Sequence, residues 1–199
     1  MGSAGPLWRL LAAVVALAVC AWGVSAQTTA QVGPAVLVAD DIQITADRRL
    51  IATGNVEAFQ GQTRLTARAI AYDPDTGKLT LTGPIAIDDG TGVRLLADQA
   101  ELSRDMQNGL LLGARLVLNE QLQLAAVQAS RVDGRYTQLY KTVVTSCTIC
   151  ADDPRPPLWQ IRAKRVIYDE QGQQLYFEGA QLRVRSIPIL YLPRLRVPD

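Results

Sequence analysis

The sequence predicts an all-β fold, an elongated open β-jellyroll or solenoid of about five stacked strand pairs, each about 29 residues long. Three observations lead there. Five segments carry Leu/Ile-x-Ala, beginning at Leu37, Leu65, Leu95, Leu124 and Ile161, and their alanines are spaced by 28, 30, 29 and 37 residues. Three residues after each alanine come Ile42, Ile70, Ala100, Ala129 and Val166; five residues after come Ile44, Tyr72, Leu102, Arg131 and Tyr168. Only Arg131 breaks the apolar columns. The second observation is the period inside each copy. Lys78-Leu79-Thr80-Leu81-Thr82 and Pro84-Ile85-Ala86-Ile87-Asp88 alternate with period two, as a half-buried strand requires. The third is the turn chemistry: every copy reaches a turn, at Ala46-Asp47-Arg48, Asp73 to Gly77, Gln107-Asn108-Gly109, Asp133-Gly134 and Glu170-Gln171-Gly172.

Taken in chain order, residues 1–26 read as a secretory signal peptide. Arg9 supplies the basic start, Leu10 to Trp22 an uncharged apolar run, and Val24-Ser25-Ala26 a small-x-small cleavage site between Ala26 and Gln27. The apolar run is too short to span a bilayer. A short linker, 27–36, precedes the repeats, which occupy 37–185. A second apolar segment follows each turn and ends at a glycine in four copies, Gly54, Gly83, Gly113 and Gly179. An amphipathic helix fits Ala97–Arg104, but the repeat register places a strand there. A strand pair of this size cannot bury its apolar face alone; stacked copies can. The end strands of such a stack carry unpaired N–H and C=O groups that invite strand addition by another chain.

Composition excludes much chemistry. The 199 residues include no histidine, so there is no Ser-His-Asp triad, no Cys-His couple and no imidazole ligand. Twenty Lys+Arg balance 19 Asp+Glu, which argues against a nucleic-acid partner. The reading is of a non-enzymatic protein without metal or cofactor. Asp40-Asp41, Asp88-Asp89 and Asp152-Asp153 read as solvated turn residues, since neighbours on a strand point to opposite faces and do not converge.

The 37-residue spacing marks an insertion around 145–157 that holds Cys147 and Cys150, the two cysteines left after export. In an oxidising compartment a structural disulfide is the favoured use. A redox pair needs a helix N-terminus, against which the prolines of Asp152-Asp153-Pro154-Arg155-Pro156-Pro157 and the strand period argue. A four-cysteine metal site needs a second pair. Free thiols are the remaining option. Residues 186–199 are apolar and proline-rich, unsuited to a helix or a central strand, and read as a connector towards a missing domain.

The segments Thr145-Ser146-Cys147, Pro157-Leu158-Trp159-Gln160-Ile161, Val166-Ile167-Tyr168-Asp169 and Ile187-Pro188-Ile189-Leu190-Tyr191-Leu192-Pro193 before Pro198-Asp199 resemble the amino-terminal part of the LPS-assembly protein LptD family. The upstream Leu-x-Ala repeats resemble the OstA-type module shared with the periplasmic LptA bridge. The resemblance covers about residues 37–199. It implies an open jellyroll that receives lipopolysaccharide from an LptA-type bridge by edge-strand addition, and passes it to an outer-membrane β-barrel plugged by the lipoprotein LptE. It also implies that Cys147 matches the cysteine bonding this domain to the barrel, with Cys150 a second cysteine beside it. The implied location is the periplasm, attached to the outer membrane in a full-length protein. No barrel follows residue 185 in this sequence, so the chain is expected to be a fragment or a split or truncated gene product.

A lipid carrier needs an apolar trough. Burying a CH₂ group is worth about 0.8 kcal/mol, so a chain of about 12 carbons resists water by roughly 10 kcal/mol. The candidate groove residues are the repeat columns: Leu37, Ile42, Ile44, Leu50, Val56, Leu65, Ile70, Tyr72, Leu79, Leu81, Ile85, Ile87, Leu95, Leu102, Leu116, Leu118 and Leu124. The alternative is a stand-alone docking module of the LptA type that joins partners by strand addition and holds no lipid.

Overall fold

The structure is a computed structural model that describes residues 35–119, 121–146 and 157–198. The signal peptide with Ala26 and Gln27, all but the last two residues of the 27–36 linker, Cys147, Cys150 and Asp152-Asp153 lie outside the described residues. The chain divides into two units, Met1–Gln31 and Val32–Asp199, and the fold is that of the second.

Fourteen strands form one antiparallel sheet, and the described residues contain no helix. They are β1 (Val36–Val38), β2 (Asp41–Ile44), β3 (Leu50–Gln60), β4 (Thr63–Asp73), β5 (Lys78–Asp88), β6 (Val93–Ser103), β7 (Gly109–Leu112), β8 (Arg115–Leu118), β9 (Leu122–Ala125), β10 (Gln128–Val132), β11 (Tyr136–Thr145), β12 (Trp159–Asp169), β13 (Gln174–Val184) and β14 (Ile187–Pro198). Short strands share a stave: β1 and β2 both pair with β3, β7 and β8 with β6, and β9 and β10 with β11. The result is a simple meander of strand pairs, the all-β repeat architecture expected from the sequence. All five predicted turns fall at strand junctions, with Asp73 closing β4 and Gly109 opening β7, and Ala97–Arg104 lies in β6 apart from its last residue.

The columns three and five residues after each alanine have a structural cause. In β4 the inward side chains are Leu65 and Ala67, then Ile70; in β6 they are Leu95 and Ala97, then Ala100 and Leu102; in β12 they are Ala163, then Val166 and Tyr168. Inward positions two apart are thus interrupted once per strand by a step of three. An extra residue at that step bends the strand and keeps the same face inward, as a β-bulge does. The ladders slip register there, between Thr66 and Ala69 and between Thr82 and Ile85.

The glycines correct the sequence reading. They do not end the second apolar segments; they sit at the bend, and β3, β5 and β13 run on past Gly54, Gly83 and Gly179. Gly54 (φ 75°), Gly113 (φ 62°) and Gly179 (φ 63°) occupy the left-handed region that the bend demands. In the copy without a glycine, Lys141 takes the same conformation at φ 51°.

Because every stave bends at the same level, the sheet curls over its own inner face. Leu65, Leu81, Leu95, Leu102, Leu111, Leu116 and Leu139 lie on both sides of the bend line, and each is at most 1% exposed. One face of a flat sheet cannot be that dry, so side chains from the two sides of the bend pack into one core.

Residues 187–198, expected to be a connector, form the edge strand β14, paired only with β13. Its inward residues Leu190, Leu192, Leu195 and Val197 repeat the two-three-two spacing. Pro188, Pro193 and Pro198 are tolerated because only one side of this strand is paired within the sheet. At the opposite edge, β1 and β2 pair only with β3, so the described sheet is open.

Candidate ligand groove

All of the candidate groove residues face inward, in rows that cross the sheet in register. One row runs Ile44, Leu50, Tyr72, Leu79, Leu102; another runs Leu37, Ala58, Leu65, Ile87, Leu95, Leu116, Leu124. They do not line one continuous channel. Val56, Leu65, Ile70, Leu81, Ile85, Ile87, Leu95, Leu102, Leu116, Leu118 and Leu124 are buried at 3% exposure or less. In the middle of the sheet these residues are a close-packed dry core, because the two sides of the bend meet there.

Among the described residues the inner face opens at both edges: on β14 the inward Leu190 is 49% exposed, and the wider apolar space lies towards β1 and β2. Leu37, Leu50, Tyr72 and Leu79 are half-buried, and Ile42 and Ile44 are 48% and 74% exposed on the inward side of the edge stave. A cavity of about 180 Å³ lies here. Leu37, Leu50, Ala58 and Leu79 wall it, with the sealed residues Leu65, Ile70 and Leu81 behind. Its few polar lining groups are Gln60, the Tyr72 side chain and Arg104. Such a space favours an apolar chain and leaves a charged group at the mouth.

Arg104 and Met106 reach the cavity from the turn between β6 and β7, where periodicity carries no signal; nothing in the repeat columns marks them. Asp105 fixes that turn. Its carboxylate accepts the Ser103 hydroxyl and, at 3.0 Å, the Gln107 backbone N–H. The Ser103 bond, with those backbone bonds, holds the Asp105 carboxyl below the usual carboxylate range. The Asp88-Asp89 pair behaves similarly as turn chemistry: Asp88 accepts the Gly90 N–H at 3.0 Å and Asp89 the Thr91 N–H at 2.8 Å. Asp40 accepts the Asn55 side-chain amide at 3.0 Å, across the bend of β3. Among the described residues no group of three or more His, Cys, Asp or Glu side chains is placed to hold a metal ion.

The edge stave beside the cavity is short and broken. Asp40 interrupts it, donating its N–H to the Gly54 carbonyl at 2.9 Å. Val36, Val38, Ile42 and Ile44 are exposed along it. Among the described residues, no strand pairs with the free edge of β1 and β2, directly next to the cavity mouth.

No family model matches the chain. It is similar to LPS-assembly proteins LptD: 27% identical over 145 residues to that of Xanthomonas oryzae pv. oryzae (strain MAFF 311018), 30% over 145 residues to that of Hahella chejuensis (strain KCTC 2396), and 27% over 162 residues to that of Pseudoalteromonas translucida (strain TAC 125). These matches cover 73%, 73% and 80% of this chain, but only 17%, 18% and 21% of the relatives, so the chain spans about a fifth of their length. A solved structure of LptH from Pseudomonas aeruginosa, described as the LptA homologous periplasmic component of a lipopolysaccharide transport device, matches 83% of this chain and 95% of its own, with 14% identity and a TM-score of 0.30. At 26–30% identity over 73% of its length, this chain is an LptD-like amino-terminal domain.

Proposed function

We propose that the chain is a non-enzymatic lipopolysaccharide-transport module that takes lipid acyl chains into the cavity between Leu37, Leu50 and Leu79. The observation that carries this reading is the apolar cavity on the inner face, at the edge where strand addition can occur. The similarity to LptD supports it. In this reading an LptA-type bridge adds a strand along β1 and β2, so that its inner face continues into the row of Ile42 and Ile44. An incoming strand covers those two side chains and extends the trough without a step through water. Arg104 stands at the mouth for an anionic headgroup. Onward transfer passes to an outer-membrane barrel with its LptE lipoprotein in a full-length protein, and Cys147 or Cys150 ties the domain to it. The domain works in the periplasm, after export directed by residues 1–26.

Photo-crosslinking residues at Leu50 and Leu79 test the reading. Both should capture lipopolysaccharide in cells, and a probe at the sealed Leu139 should not. Capture at neither mouth position, in a chain shown to fold and to be exported, overturns it and favours a docking module that holds no lipid.

A further inference from the structure

Charge is distributed unevenly about the bend line in the second half of the sheet. Among the described residues on one side of it (115–119, 121–125, 141–146, 157–164 and 179–192) there are six cations, Arg115, Lys141, Arg162, Lys164, Arg183 and Arg185, and no Asp or Glu; Glu120, Asp152 and Asp153 lie outside the described residues. None of the six has a carboxylate partner among the described residues. On the other side of the same staves acids and cations are mixed, and three pairs form, Arg131 with Glu170, Arg135 with Asp169, and Arg165 with Glu178, while Asp133, Arg194 and Arg196 stand outside them. The whole chain is nearly neutral, so this is segregation and not a general excess.

The cations converge on the outer face. Register places Arg115, Ala125, Val143, Arg162, Gln181 and Tyr191 in one row across the outer face. A surface concavity of about 550 Å³ lies over it, lined by Lys141, Arg162, Lys164, Gln181 and Tyr191 among others. The Lys164 methylenes lie over Gly179, where an added Cβ would come within 3.3 Å of them. Beside this concavity the apolar side chains are uncovered: Tyr191 is 57% exposed and Ile189 58%. Unpaired cations on long apolar stems, next to an exposed tyrosine and isoleucine, match a surface whose outer layer is phosphate and whose inner layer is hydrocarbon. An acidic protein surface would satisfy the cations and leave the isoleucine wet.

The geometry points to the outer face of β11 to β14 as a docking surface for a bilayer of net-anionic phospholipid, with Arg162 and Lys164 at its centre. This goes beyond the transport reading and does not depend on it, because the face lies on the opposite side of the sheet from the cavity. Co-flotation of the full chain with vesicles tests it. The chain should float with phosphatidylcholine vesicles containing phosphatidylglycerol, not with phosphatidylcholine alone, and added salt should release it. R162Q/K164Q should weaken binding about thirtyfold, at about tenfold or less per cation removed. R68Q, which removes an exposed cation from the outer face of β4, should leave binding unchanged, and circular dichroism should show all three proteins equally folded. Absence of binding to the phosphatidylglycerol vesicles, equal binding to phosphatidylcholine, or an equal loss in R68Q overturns the proposal. Each of those outcomes leaves crosslinking at Leu50 and Leu79 as a separate result.

Discussion

Arg131 Nη2 lies 3.4 Å from Glu170 Oε1, and this contact accounts for the one charged residue in the inward columns. Arg131 stands in the row that runs through Leu79 and Leu102, between Gly109 and Thr137. Gly109 contributes no side chain there, and Leu102 Cδ2 and the Glu101 carbonyl fill the place a Cβ would take. Both side chains of the pair are largely buried, at 12% and 18% exposure. Burial pushes the Glu170 carboxyl above its ordinary range, against the downward pull of Arg131.

Removing Arg131 should therefore cost more than its own contacts. Arg131→Leu leaves Glu170 in place without its cation, and should lower stability by about 2 kcal/mol at neutral pH. R131L/E170Q should recover most of that loss. The loss should also shrink on acidification. A raised carboxyl pKa means that stability is fully present below the unfolded value near 4.5 and falls as pH rises through the folded one. Urea unfolding of the variants at acid and neutral pH reads both effects. An R131L loss that is independent of pH shows that Glu170 does not carry it.

A bend glycine and a turn glycine should be unequal. An alanine Cβ at Gly83 would press into the backbone carbonyl of Asp98 and lie 3.0 Å from the Ala97 oxygen, so the β6 backbone must move. At Gly61, in the turn between β3 and β4, a Cβ meets nothing within 4 Å and only the φ of 61° resists it. Gly61→Ala should cost about 1 kcal/mol and Gly83→Ala about 3 kcal/mol. Thermal unfolding of the two variants gives the order directly.

The sealed and open parts of the inner face should separate by truncation. Leu139 is wholly buried, so Leu139→Ala should lower stability by about 3 kcal/mol through lost burial and a residual cavity. Ile44, also on an inward row but 74% exposed, should tolerate alanine within about 0.5 kcal/mol in the isolated chain. If Ile44→Ala were equally destabilising, the opening at β1 and β2 would be closed in solution.

The repeat columns carried the strands, the turns and the inward face, because these follow from local alternation and turn residues. The three-residue step was visible as a column offset, but its meaning was not. A bulge is a relation between two paired strands, and one sequence segment shows only half of it. The same limit hid β14: Leu190, Leu192, Leu195 and Val197 keep the spacing, yet three prolines rule out only a centrally paired strand and say nothing against an edge. The groove was legible as a face and not as an opening. Whether Leu65 or Leu79 meets solvent depends on what folds over it from across the bend, and Leu65 is sealed while Leu79 is not. Arg104 and Met106 enter from a turn, where no period exists to reveal them.

Acid sensitivity should trace in part to the turn between β12 and β13. Asp169 accepts both Nε and Nη2 of Arg135 at 2.9 Å, and the Gly172 N–H at 3.1 Å. The Arg135 bonds, aided by those backbone N–H groups, hold the Asp169 carboxyl below its ordinary range. For a lowered carboxyl pKa the linked stability is present above the unfolded value near 3.8 and is lost as pH falls through the folded one. Asp169→Asn keeps the side-chain oxygen that accepts the Gly172 N–H and discards the charge. Its stability should lie below that of the parent at neutral pH and converge with it under strong acid, because the parent then loses the same charge. Parallel urea titrations from about pH 6 to about pH 2 measure the difference. A constant offset across that range would mean that Asp169 contributes shape and hydrogen bonding but no ionised carboxylate. Asp47, Asp88, Asp105 and Glu178 are also held low by hydrogen-bonded partners, so the variant should flatten the acid slope without abolishing it.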